Sequence, residues 1–422
     1  MLNPIFRVYL LALGLFAPGI ALAQAPAPLP SEPIPKTIDE LLLPQVPVAP
    51  APIAPGPAIA PASTTPPVGL SPQAAPSTAA PPFIEALPPG TVAPTPGPFS
   101  PPASQPPAAT APAPVTPPLS EIATVNPADV LAIEYAGGPL PDGFSVLTLK
   151  LQILLDLAGM SPGIIDGMNG RNVAKAIAGV ETLMGLPVDG TLDVEVWQRL
   201  PGNAPILVEY EITHEDVAGP FLPSIPTDYT EMAKLDALSY TGPLEMFGER
   251  FHMDVELLSK LNPGADLNRV GTRIVVAGAN AYAVTTPVAS LIADKVNAQL
   301  RGFDAEGKLA VAYPATIGSD ELPSPSGKHT VNGIAHNAAY YYNPRLNFQQ
   351  GGNKQKLKLP PGPNNPIGTT WIDLTEPTYG IHGTPEPSKI DKTRSHGCIR
   401  LTNWDVEELA GLVKKGVPVE FR

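Results

Sequence analysis

Three regimes of hydrophobic patterning divide the chain. From residue 24 to about residue 120 the apolar residues follow no helical or strand period, because proline interrupts every run. Apolar density then rises sharply over residues 144–159, where Val146, Leu147, Leu149, Leu151, Ile153, Leu154, Leu155 and Leu157 predict a buried helix. Pro162-Gly163 and Asp166-Gly167 mark turns. A second helix is expected from Asn172 to Met184, closed by Gly185, and a short third one ends near Trp197 and Leu200. Together they predict a small three-helix domain over 121–205. A further unit over 228–278 reads as two helices, 244–251 and 255–261, stopped by Asn262-Pro263-Gly264 and followed by a strand over 271–276.

Beyond residue 281 the period shortens. Residues 309–318 predict a β-strand ended by glycine, and shorter strands are expected at 333–334, 340–342, 369–374 and 417–421. Val406, Leu409, Ala410 and Val413 at helical spacing predict one late helix over 403–413, capped by Asn403. Lys354 to Lys358 reads as a solvated loop. Many short strands between Gly- and Pro-rich turns predict a β-rich domain over 281–422.

Composition changes this picture mainly at the front of the chain. About a third of the residues from 24 to 120 are proline, which denies the segment helices and sheet ladders. A disordered, polyproline-II-like linker is expected there, serving as a tether or passive spacer. Residues 1–23 read as an export signal: Arg7, a short apolar run from Val8 to Phe16, and Ala21-Leu22-Ala23 as a cleavage site. That run is too short to cross a bilayer, which takes about 20 apolar residues. The expected destination is the periplasm or cell wall. Residues 121–279 hold 9 Lys+Arg against 22 Asp+Glu, and residues 280–422 hold 15 against 13. The acidic half argues against a nucleic-acid partner, whose phosphates call for basic side chains.

The candidate chemistry lies near the end. Ile381-His382-Gly383-Thr384-Pro385 and Arg394-Ser395-His396-Gly397-Cys398-Ile399-Arg400-Leu401 carry two of six histidines and the single cysteine. One thiol excludes an intramolecular disulfide, and a thiol beside imidazoles is a candidate nucleophile. Gly397 permits backbone amides to approach a reacting carbonyl oxygen. The run after Cys398 reads as a strand, with Cys398 and Arg400 on one face and Ile399 and Leu401 in a core. The alternative is a buried structural cysteine. His382, His396 and Cys398 lack the spacing of a four-ligand zinc site, so no metal or cofactor is expected.

His382-Gly383 followed by Ser395-His396-Gly397-Cys398-Ile399-Arg400 resembles the signature of YkuD-type L,D-transpeptidases, cysteine enzymes that remodel peptidoglycan. Pro325-Ser326-Gly327 and residues 361–368 agree with it, and the resemblance covers about a third of the chain. It implies a mixed β-sandwich with Cys398 as nucleophile and His382 as general base, its ring oriented by the Gly383 carbonyl. It also implies an oxyanion site at the amides of Gly397 and Cys398 with His396 nearby. Arg400, Ser395 and Tyr341 form the expected substrate-binding set: Arg400 for a carboxylate, Ser395 mainly as a loop buttress, Tyr341 from a cluster that is either cleft wall or strand filler. The three-helix unit resembles a peptidoglycan-binding domain, although Ala178-Gly179-Val180-Glu181 stands where that family has Phe-Gln. The 228–278 unit resembles a degenerate LysM module without its opening strand, Tyr240-Thr241-Gly242-Pro243 occupying the place.

The implied activity is removal of the terminal D-alanine of a tetrapeptide stem through a thioester, then transfer to an amine. Acceptors include a second stem (3→3 cross-link), a free D-amino acid or a lysine of a wall-anchored protein. An L,D-carboxypeptidase using water, or a non-catalytic peptidoglycan-binding scaffold, remains the alternative. The expected partners are peptidoglycan and, as inhibitors, carbapenems.

Overall fold

The computed structural model describes residues 118–279, 283–318, 323–345, 348–393, 395 and 397–422. The expected export segment, and the linker as far as residue 117, lie outside the described residues. Helix α1 (Pro127–Ala132) precedes α2 (Val146–Leu157), which starts where Ser145 Oγ accepts the Thr148 amide at 3.0 Å. Leu149, Leu151, Ile153 and Leu155 are all fully buried, so α2 is enclosed on every side, as its apolar density requires. Helix α3 (Arg171–Met184) ends on left-handed Gly185, and Asp193 caps α4 (Val194–Arg199). The departure at Glu181 has a structural reason. Its buried carboxylate accepts the Asp189 and Gly190 amides at 3.0 and 2.9 Å, fixing the turn that leads to α4.

The second unit is larger than its expected bounds. Strand β1 (Leu207–Glu211) pairs antiparallel with β2 (Arg273–Ala277), with α5 (Pro243–Arg250) and α6 (Val255–Leu261) between them. The opening strand therefore precedes residue 228, and Tyr240-Thr241-Gly242-Pro243 is not its substitute. Residues 212–242 separate β1 from α5. The alternation of β1 was weak in the sequence because no residue of this two-stranded ribbon's first strand is fully buried. The helical unit and the β1–β2 unit pack together. Val130, Leu154, Phe247, Leu258 and Val276 belong to one hydrophobic core. The Ile165 amide donates to the His252 carbonyl at 2.8 Å, and the Asp254 amide to the Ile165 carbonyl at 2.9 Å.

The remaining strands are β3 (Ser290–Asp294), β4 (Gln299–Phe303), β5 (Leu309–Pro314), β6 (Thr316–Ile317), β7 (Gly327–His336), β8 (Tyr340–Tyr342), β9 (Leu357–Leu359), β10 (Thr370–Leu374), β11 (Gly380–His382), β12 (Ile399–Arg400) and β13 (Pro418–Phe421). Nine of them form one sheet in the order β5-β4-β3-β13-β7-β10-β11-β12-β6, and β8–β9 is a separate ribbon. The single strand expected over 309–318 divides at Ala315, and its two parts lie on opposite edges of the sheet. Strand β7 pairs with β13 through its first half and with β10 through its second. The sheet is thus folded over one core that holds Leu291, Leu300, Ile372, Ile381 and Leu409. This is the expected β-rich mixed sandwich.

Helix α7 (Asn403–Leu412) is capped by Thr402, whose Oγ1 accepts the Asp405 amide at 3.1 Å, and not by Asn403. The supposed solvated loop at 354–358 runs into β9, because Leu359 is fully buried against Tyr342. The non-catalytic half docks on the catalytic one through several contacts. The Ser161 amide donates to Ala312 of edge strand β5 at 2.9 Å, and the Ala312 amide to Gly159 at 3.1 Å. His252 pairs with Asp156 at 3.0 Å and stacks on Trp404 of α7 with ring centroids 5.1 Å apart. Lys175 reaches Asp391 at 2.7 Å.

Candidate active site

Parallel pairing of β11 with β12 sets His382 beside Arg400, while Cys398 lies two residues earlier at the entry to β12. The three side chains share a cleft of about 560 Å³ with Trp371, Tyr379 and Tyr340. His382 is buried, and its Nδ1 lies 2.7 Å from the Gly383 carbonyl. A carbonyl can only accept, so Nδ1 carries the proton and Nε2 keeps its lone pair. Trp371 is paired with His382 across β10 and β11 and stacks on its ring at 18° and 5.6 Å, which holds the imidazole plane. Burial, reinforced by the Arg400 charge, pushes the imidazole down to about 3, so it is neutral at physiological pH.

Cys398 is half-buried, and its Sγ lies 3.8 Å from the Thr378 carbonyl. Burial pushes the thiol up, with the Gly380 amide and the Arg400 charge pulling the other way. The resting pair is therefore a thiol and a neutral imidazole rather than an ion pair. Gly397 has φ +103°, and a Cβ there would lie 2.5 Å from the Tyr379 ring. Only glycine suits that turn. Ser395 Oγ donates to the Cys398 carbonyl at 2.7 Å and accepts the Gly318 amide at 2.6 Å, so its hydroxyl is engaged in buttressing the loop. Its place in the substrate-binding set gives way to that structural role, although the residue lines the cleft.

Arg400 lines the cleft beside Cys398, as alternation along β12 requires, and its buried Nε has no hydrogen-bond partner among the described residues. Tyr341 does not line the cleft. It is 69% exposed and packs under Lys358, whereas its neighbour Tyr340 faces the site. Strand alternation separates the two, and the sequence had no means of fixing the register of β8. His396 lies outside the described residues.

Residues 289–421 match the family model YkuD, the L,D-transpeptidase catalytic domain. Residues 147–200 match a family model described as "Putative peptidoglycan binding domain". The chain is 29% identical over 182 residues to the "Putative L,D-transpeptidase YkuD" of Bacillus licheniformis, covering 42% of this chain and 92% of that protein. It is 26% identical over 186 residues to the "Probable L,D-transpeptidase ErfK/SrfK" of Escherichia coli K12, covering 43% of this chain and 59% of that protein. Among solved structures, an L,D-transpeptidase from Mycobacterium smegmatis aligns with 18% identity and a TM-score of 0.27, over 36% of this chain and 64% of that one.

The cleft is not built from the matched domain alone. Ile225, Pro226, Thr227, Tyr229 and Met232, all from the stretch between β1 and α5, line it as well. Behind His382, Asn403 Oδ1 sits so near Gly383 that a Cβ there would lie 2.2 Å from it. Reasoning along the sequence missed Trp371, Asn403 and the 225–232 stretch. Only the last is distant in the chain, but each carries no local signal beyond an ordinary strand, helix-start or loop residue.

Proposed function

We propose that this is an exported L,D-transpeptidase that acts on peptidoglycan tetrapeptide stems through a thioester on Cys398. The observation that carries this reading is the His382 ring, locked by Gly383 and Trp371 with Nε2 bare, in one cleft with the chain's single thiol. His382 takes the thiol proton as sulfur adds to the carbonyl carbon of the stem, and the Gly397 and Cys398 amides receive the oxyanion. The C–N bond to D-alanine breaks, and the departing amine leaves with the imidazolium proton. An acceptor amine then attacks the thioester, gives a proton to His382, and the C–S bond breaks to restore the thiol. Arg400, a cation within the cleft, suits a stem carboxylate. Carbapenems, as strained acyl donors, are expected to acylate the same sulfur.

The test is the purified protein with a disaccharide-tetrapeptide, with and without D-methionine, read by muropeptide mass analysis. Dimers alone, and an exchanged stem with D-methionine, are the expected products. Tripeptide alone in both reactions would make the enzyme an L,D-carboxypeptidase. No turnover together with an unmodified thiol after carbapenem exposure would leave only a binding scaffold.

A further inference from the structure

The stretch from about Leu222 to Tyr240 lies outside the matched catalytic domain, yet it is fastened to that domain and lines the cleft. The Leu238 amide donates to the Pro361 carbonyl at 2.9 Å, and the Asn364 amide returns a bond to Leu238 at 2.9 Å. Gln350 Nε2 donates to the Thr227 carbonyl at 2.8 Å. Met232 and Leu238 form a small buried core with Tyr342 and Leu359 of the β8–β9 ribbon. Tyr229 stands edge-on to Tyr342 at 5.2 Å and to Tyr340 at 6.1 Å, both at 87°. These are long-range contacts between chain segments more than a hundred residues apart, and they leave one face of the strap in the cleft.

The lining residues differ in chemistry by their origin. The charged ones, Arg400 and Glu386, come from the matched catalytic domain. The strap contributes Ile225, Pro226, Met232 and the Tyr229 ring, and no charged side chain. An acyl donor held through a carboxylate belongs with Arg400. The apolar lining is left for a group that is aliphatic along its length and polar only at its reacting end. A side-chain amine on three or more methylenes has that form. Such a wall also keeps water from the thioester, and transfer to an amine against about 55 M water depends on exclusion and positioning.

We propose that the strap centred on Tyr229 is the acceptor wall of the transpeptidase: it packs the alkyl stem of an aminoalkyl acceptor and shields the Cys398 thioester from water. The inference rests on the acyl-transfer reading above. The acceptor's amine attacks the thioester carbon, its proton passes to His382, and Cys398 leaves as the thiolate that this proton restores to a thiol.

The experiment uses the full chain and measures, from one tetrapeptide donor, the ratio of product formed with a lysine-like diamino acid to tripeptide formed with water. Tyr229→Ala should lower that ratio about tenfold or more, and Tyr229→Phe should restore it to within about twofold. Ile225→Asp, which places a carboxylate in the wall without removing the Tyr229 ring contacts, should lower it also and serves where Tyr229→Ala fails to fold. Intact-protein mass after carbapenem exposure reports whether Cys398 still reacts in each variant. A ratio held within about twofold in Tyr229→Ala and Ile225→Asp, with thioester still forming, overturns the acceptor wall and leaves the transpeptidase reading standing. A changed donor KM with an unchanged ratio also overturns it, by placing the strap against the donor. Failure of the unmodified protein to form any acyl-enzyme overturns the reading beneath it.

Discussion

Glu249 of α5 and Asn403 of α7 are joined by the amide of Asn403, whose Nδ2 lies 3.0 and 2.8 Å from the two carboxyl oxygens. The same Asn403 accepts the Thr369 amide through Oδ1 and abuts Gly383, the residue whose carbonyl holds His382. A residue outside the matched domain is thus three contacts away from His382.

Asn403→Leu should therefore do more than destabilise. It leaves Glu249 buried without its donor, at a cost of about 1–3 kcal/mol, and it frees the Gly383 carbonyl to shift. We expect acylation by a carbapenem to slow about tenfold through misplacement of His382. Gly383→Ala, which sets a Cβ against Asn403 Oδ1, should act in the same direction. Acylation at the parent rate in both variants would show that Asn403 does not position the base.

Cys398→Ala should abolish turnover and carbapenem adduct formation while the fold persists, since among the described residues the thiol meets only backbone groups, a long contact to the Thr378 carbonyl and the Gly380 amide. His382→Ala should lower the acylation rate by about 10²–10⁴, the usual worth of a positioned base. Turnover by Cys398→Ala would remove the thioester from the mechanism.

The pH dependence follows from the directions of the two shifts. His382 does not bind a proton in the folded state until about pH 3, so acylation should show no loss from base protonation between pH 7 and 5. The thiol is raised by burial, so alkylation of Cys398 by iodoacetamide should climb only above the ordinary thiol range. An alkylation midpoint below pH 7 would contradict the neutral resting pair. For stability, the unfolded chain binds a proton at His382 near pH 6.5 and the folded one does not, so this residue makes the fold weaker as pH falls below that point.

The buried acids between the two halves have the opposite alkaline limit. Burial pushes Glu249 up to about 8, and Asp405 and Glu408 to about 7. Facing them are Asp156, His252, Glu245, Glu407 and the Tyr313 hydroxyl, which donates to Glu408 at 2.8 Å. Each raised carboxyl favours the folded state at low pH, and that contribution is lost as pH rises from about 4.5 through the folded values. We expect Tm to fall by about 3 °C or more between pH 5.5 and 8.5. The Glu249→Gln, Asp405→Asn, Glu408→Gln variant should show a flatter profile; an equally steep one would locate the effect elsewhere.

Much of the site was legible because its determinants are local. Gly397 must turn, Cys398 and Arg400 alternate on one strand, and the carbonyl that holds His382 belongs to the next residue. Three of the four helices of the first unit, α2 to α4, were equally plain, since a run as apolar as α2 has only one way to be buried. What escaped was set by pairing across distance. The strand expected over 309–318 divides between two sheet edges at Ala315, a choice made by partners rather than by its own residues. Strand β1 became recognisable only beside β2, some 60 residues later. The register of β8 decided that Tyr340 and not Tyr341 meets the cleft. Asn403, which looked like a helix cap, yields that task to Thr402 and is free to reach Glu249.

The bridge between Met160 and Ala312 has a bearing on solubility. Strand β5 is the last in its row, and a bare outer strand invites pairing with the same strand of another copy. Here the turn after α2 occupies two of its backbone groups, so the helical unit acts as a stopper against edge-to-edge growth. Removing residues 118–279 would uncover that edge together with the apolar faces of Tyr342 and Leu359, and the isolated sheet should associate into aggregates even though every residue of its cysteine site is present.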